Sequence, residues 1–206
     1  MLKTLHRHKH WVAGGGVLIG LGALAYGNLF SPHTTEALLP EHPGIYREWQ
    51  SNTQSGVVVN EKACNGNGTY DSTDTLGARD SYQVDLSSVP DGAIITKIKI
   101  FPCASRNQAN DAKTVMNVFY LFNNTQSANK GNYVLTGTTP RPMGATVFGG
   151  LSLPVITSAA RASGRTNSTL EIGAVLMSGT GGARLSRIST VISYTSLSPN
   201  AKTVER

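Results

Sequence analysis

The residues of this chain that could do chemistry are few: five histidines, two cysteines, twelve acidic side chains and a small set of aromatic rings. All five histidines, His6, His8, His10, His33 and His42, precede residue 43. With the folded domain read as starting at residue 45, that domain holds no imidazole. Histidine triads, histidine acid–base chemistry and nearly all zinc sites are thereby excluded from it. His6, His8 and His10 alternate at a spacing that suits a metal, but they stand among Lys3, Arg7 and Lys9 before an apolar run and read as polar filler.

Cys64 and Cys103 are the only cysteines. No CxxC motif accompanies them, so a redox pair is disfavoured. A disulfide is the leading reading and two buried free thiols the alternative. A bridge closing a loop of this length contributes about 4 kcal/mol by restricting the unfolded chain.

The acids Asp71, Asp74, Asp80, Asp85, Asp91, Asp111 and Glu171, with Glu48 and Glu61, would suffice for a glycoside hydrolase, which needs two carboxyl groups across a cleft. Nothing in their spacing pairs them. Asp85 and Asp91 suit strand and turn positions, and Glu171 suits the polar face of a strand. No catalytic residue is assigned, and the chain reads as a non-enzyme.

The loop from Asn65 to Asp74 offers Asn65, Asn67, Asp71 and Asp74 as oxygen ligands, and calcium is the cation that such ligands favour. It lacks the EF-hand spacing, and turn-forming Asn, Asp and Gly account for the same composition. No other cofactor is expected. Carbohydrate recognition would use an exposed ring beside amide or carboxylate groups. Trp49, Tyr70 and Tyr133 are the candidates, near Asn67, Asp71 and Asn132, and each ring has a competing place in a core. The tripeptides beginning at Asn67, Asn123 and Asn167 match the N-glycosylation pattern, a match that Asn/Ser/Thr-rich loops also produce by chance.

The elements that must position these groups begin with a leader. Residues 1–30 join a basic start to an uncharged run from Trp11 to Phe30. Ala23-Leu24-Ala25 is a small-x-small site at which a signal peptidase would cut before Tyr26. The same run is long enough to span a bilayer, so an uncleaved membrane anchor is the competing reading. Both readings put the rest of the chain outside the cytoplasm, secreted or held at the cell surface. Once the leader's three basic residues are set aside, 15 basic side chains against 12 acidic ones leave +3 of the formal +6, with the basic residues dispersed. That argues against nucleic acid as a partner.

Residues 31–44, with Pro32, Pro40 and Pro43, read as a linker, 45–198 as one domain and 199–206 as a polar tail. Ile45 to Gln50 reads as an amphipathic start to the domain or a short helix. From Gly56-Val57-Val58-Val59 onward the pattern is strand after strand. Ile98 and Ile100 alternate with Lys97 and Lys99, Val115 to Phe122 is continuously apolar, and Leu170, Ile172, Ala174 and Leu176 alternate with Glu171 and Gly173. Leu185, Ile188, Val191 and Ile192 continue the pattern in a last strand. Val89-Pro90-Asp91-Gly92, Asn123-Asn124 and Gly179-Thr180-Gly181-Gly182 are turns between them. Short strands without intervening helices predict an all-β, antiparallel, jelly-roll-like β-sandwich behind an N-terminal signal or anchor helix.

The stretch Asp80 to Thr96, with its strand, Pro-Asp-Gly turn and next strand, resembles exported β-sandwich modules of bacterial cell-surface and secreted proteins, as do Thr169 to Val175 and Arg187 to Thr195. The resemblance implies a jelly-roll-like surface module and carries no active-site signature. The expected function is non-catalytic binding or adhesion to a glycan or a surface protein. The alternative is a structural subunit forming homo-oligomers through an unpaired sheet edge.

Overall fold

The computed structural model describes residues 30–51, 64, 70–109, 113–156 and 167–197. The leader up to residue 29, the strand predicted at Gly56 to Val59, Asn65, Asn67 and the tail at 199–206 lie outside the described residues. The described chain forms thirteen strands, all paired antiparallel. No helix interrupts them among the described residues.

The strands are β1 (Phe30–Thr34), β2 (Pro40–Arg47), β3 (Gln50–Ser51), β4 (Asp71–Thr73), β5 (Arg79–Val84), β6 (Ile94–Arg106) and β7 (Thr114–Phe122). They continue through β8 (Thr125–Gln126), β9 (Lys130–Leu135), β10 (Arg141–Pro142), β11 (Thr146–Pro154), β12 (Leu170–Ser178) and β13 (Ala183–Leu197). Two sheets form. In the first, β13 pairs with β6 along one edge and along the other with β4 and β1, and β10 and β11 flank β6. In the second the order is β2, β5, β12, β7, with β8 and β9 on the outer edge of β7. Eight of the twelve steps between consecutive described strands change sheet, as in the jelly-roll-like sandwich that the alternation predicts.

The core lies between the sheets. Leu170, Ile172, Ala174 and Leu176 of β12 and Met116 and Val118 of β7 face Ile98 and Ile100 of β6 and Leu185, Ile188 and Ile192 of β13. Tyr120 of β7 meets Phe148 of β11 edge to face at 5.1 Å, joining the sheets beside β9. The predicted turns are present. The Ala93 N–H donates to Pro90 O with Gly92 at φ +75°, and Asn123 and Asn124 take φ of 50° and 63°, as a two-residue hairpin of this hand requires. The Cys64–Cys103 disulfide forms, Cα atoms 5.7 Å apart, anchoring Cys64 to β6.

The linker reading is corrected. Residues 31–44 belong to the sandwich. β1 pairs with β13 from Phe30↔Leu197 to Thr34↔Ser193, Leu38 bridges to Thr190, and β2 pairs with β5. Pro40 and Pro43 mislead because β2 is an edge strand, where a missing N–H costs no ladder bond. His33 and His42 consequently lie in the folded domain, which a start at residue 45 would leave without histidine; His33 stacks on Tyr194 at 5.2 Å. Residues 45–47 end β2, so no short helix forms there.

Glu171 is also corrected. It lies on the outer face of the second sheet but is 2% exposed. β2 gains extra residues between Pro43 and Arg47, and this bulge closes over the sheet. The Ile45 N–H donates to Glu171 Oε2 at 2.9 Å, the Ser81 hydroxyl donates to the same oxygen at 2.7 Å, and the Tyr46 N–H donates to Ser81 Oγ at 3.1 Å. A Cβ at Gly44 would strike both the Glu171 carboxylate and the Ser81 hydroxyl, so this close approach requires glycine.

The register fixes two ends. Val84, Leu170 and Phe122 of the second sheet lie at the same end as Ile94, Thr195 and Phe30 of the first. At this near end the chain enters at β1 and leaves at β13. The far end carries the end of β4 and the starts of β5 and β13.

Candidate functional site

The near end holds a concave, polar surface. A hollow of about 370 Å³ has Val84, Leu86 and Leu170 as its apolar floor and Gln83, His42 and Thr169 among its polar walls. A second hollow, about 550 Å³, is lined by the Ala37 to Pro40 turn and Ser88. Glu41, Asp85 and Ser87 line both, so the two form one trough with two carboxylates at the junction. These volumes fall within the range of about 300–1,000 Å³ usual for ligand sites.

Local structure sets the polar groups. Asp85 follows β5 in a turn in which it accepts the Ser87 N–H at 2.8 Å and the Ser87 hydroxyl, which holds the carboxylate at the rim. The Ser168 hydroxyl accepts the Ile156 N–H at 3.0 Å and donates to Pro154 O, and the Thr169 N–H donates to Asn123 Oδ1 at 2.9 Å. These bonds fasten the start of β12 to its neighbours. Asn167 Oδ1, in the wall of the first hollow, is buried without a hydrogen-bond partner. An acceptor left in that state costs about 1–3 kcal/mol until a donor reaches it.

No protein-family model matches the chain. No curated protein matches it either. Among solved structures, the chain is similar to a native family 35 carbohydrate binding module from Clostridium thermocellum at 13% identity and TM-score 0.40, over 78% of this chain and 97% of that one. The CBM36-1 domain of a multidomain xylanase from the hindgut metagenome of Trinervitermes trinervoides is similar at 10% identity and TM-score 0.35, over 78% and 96% of the two chains. The xylan-binding module CBM15 is similar at 8% identity and TM-score 0.34, over 79% and 95%.

The trough residues come from β2, the loop after β5 and the segment before β12, and no sequence signal marks them as binding residues. The rings that the sequence marks lie elsewhere. Trp49 is in the core, 7% exposed, its indole N–H donating to Ala78 O at 3.0 Å, which leaves no face for a sugar. Tyr133 is half-buried on β9, its hydroxyl bonded to Thr146 Oγ1 at 2.7 Å and to Gly144 O, and burial pushes its phenol pKa up.

Tyr70 is at the far end, with the Arg184 guanidinium 4.1 Å from its ring centre. Arg184 Nη2 is 3.4 Å from Asn107 Oδ1, the Asn107 amide donates to Asp74 Oδ1 at 3.2 Å, and Gln108 donates to Asp74 Oδ2 at 3.0 Å. This cluster brings two predicted residues together, Tyr70 and Asp74, around one arginine. Asp71, predicted beside Asp74 as a cation ligand, turns inward instead, because β4 alternates and Asp71 and Thr73 take its core face. No group of three or more His, Cys, Asp or Glu side chains among the described residues is placed to hold a metal ion.

Beneath that cluster the Tyr82 hydroxyl lies 2.6 Å from Asp71 Oδ2 and 2.8 Å from Asp80 Oδ2. Asp71 is 6% exposed and Asp80 5%. Burial raises the Asp80 pKa, the Tyr82 bond lowers it and the Asp71 charge raises it again, to about 8. Burial and the two carboxylates hold the Tyr82 phenol well above its ordinary range. Asp71 and Asp80 meet in the interior, where they join the sheets.

Proposed function

We propose that this chain is a non-catalytic, extracytoplasmic recognition module that binds a glycan in the near-end trough. The observation that carries the reading is the trough itself: two hollows with shared lining residues whose walls offer carboxylate, amide, hydroxyl and imidazole groups over an aliphatic floor. Sugars present the matching surface, hydroxyl groups that donate and accept around a ring with apolar C–H faces. The Cys64–Cys103 disulfide supports an oxidising compartment and hence the extracytoplasmic location.

The test is a panel of soluble oligosaccharides titrated into isotopically labelled protein, with backbone amide shifts recorded. Saturable shifts at Gln83, Asp85, Ser87 and Thr169 are expected. Retention of no oligosaccharide, or shifts confined to the far end, would sink the assignment.

A further inference from the structure

The trough has a chemical bias that narrows its ligand within the glycan reading, on which the narrower identity rests. Its described lining contains two carboxylates, Glu41 and Asp85, and no Lys or Arg, although the chain as a whole carries +6. Each carboxylate offers about four lone-pair sites, and Asp85 uses only part of its capacity on Ser87. The unpartnered Asn167 Oδ1 adds a further acceptor. The described wall thus holds a surplus of acceptors, two of them carboxylates. No Phe, Tyr or Trp is among the described lining residues, so none of them offers a ring for stacking.

Those features disfavour two classes of sugar. Uronate or sulfate groups would bring anions to Glu41 and Asp85. A neutral chain would exchange hydrogen bonds with water for hydrogen bonds with protein, a small net gain per bond, with no aromatic platform to add to it. An ammonium group supplies three donors and a positive charge, and its bonds to carboxylates are of the stronger, charge-assisted kind. We infer that the trough recognises an amine-bearing glycan, a chain of sugars with free ammonium groups, one of which sits between Glu41 and Asp85 while neighbouring sugars occupy the two hollows.

The experiment is calorimetric titration of the full chain with glucosamine, N-acetylglucosamine, glucose and uronic-acid oligomers of equal length, and with a lysine oligomer, at low and physiological salt. The glucosamine oligomer should bind at least about tenfold more tightly than its N-acetylated counterpart and weaken as salt rises. E41Q and D85N, near-isosteric changes at exposed positions, should each weaken it by roughly three- to tenfold while thermal unfolding stays unchanged. Equal or tighter binding of the acetylated, neutral or uronic-acid oligomer would overturn the amine assignment and leave the glycan reading standing. Lysine oligomer binding as tightly as glucosamine would overturn it as unspecific attraction of cations. Binding of no sugar oligomer would remove both readings.

Discussion

Asp71 of the first sheet and Asp80 of the second are tied through one group, the Tyr82 hydroxyl, which lies 2.6 Å from one carboxylate and 2.8 Å from the other. A phenol carries one proton. It can donate well to one carboxylate, and the other short contact needs a proton on the second carboxyl group. Burial, with the Asp71 charge adding to it and the Tyr82 bond opposing it, raises the Asp80 pKa and so favours a proton on that carboxyl group.

This arrangement makes stability depend on pH, with a fixed sign. An unfolded aspartate releases its proton near pH 4, whereas folded Asp80 holds it to about pH 8. Its contribution to stability is therefore fully present below about pH 4 and is lost as pH rises toward 8. Urea unfolding across pH 5 to 9 should show stability falling with pH, and D80N should flatten that slope. An unchanged slope in D80N would place the titration elsewhere.

Y82F removes the hydroxyl and leaves both carboxyl groups in place. The loss of the shared bond should destabilise the fold by about 1–3 kcal/mol, read from the urea midpoint at constant denaturant slope. A change within experimental error would mean that Asp71 and Asp80 find other partners.

The C64S/C103S double variant tests the bridge. It should lose about 2–4 kcal/mol and melt at the temperature of the reduced native protein. Melting as the oxidised native protein does would show that the bridge adds nothing to stability.

G44A places a methyl group against the Glu171 carboxylate and the Ser81 hydroxyl. The bulge must then lift from the second sheet, with an expected cost of about 1–3 kcal/mol. Hydrogen exchange should rise at the Ile45 and Tyr46 amides, whose acceptors are Glu171 and Ser81. Unchanged protection there would contradict the packing described.

The strands that cross the core were legible because period-two alternation records which face is buried: Ile98 and Ile100 against Lys97 and Lys99, and Leu170 to Leu176 on β12. β1 and β2 were not, since their prolines resemble a linker and their pairing is to strands far along the chain. Glu171 misled for a related reason: alternation names the outer face and cannot say that a bulge from residues 44–46 will cover it. The trough left still less trace. Glu41, Asp85 and Asn167 are brought to one end by three separate connections, and no spacing in the chain announces their meeting. Asp85 and Asn167 had local explanations, a strand position and a glycosylation match, that hid them. The aromatic signal pointed to Trp49, whose ring the core absorbs.

β13 holds the first sheet together, pairing with β6 on one side and with β4 and β1 on the other, and it is the last of the described strands in the sequence. During synthesis, β1 emerges first of the described strands and waits through more than half of the chain for the strand that will receive it. The first sheet cannot close until Leu197 has cleared the ribosome. Truncation of the final few residues of β13 would strand β1, and synthesis that stalls late would leave a chain with an open sheet edge.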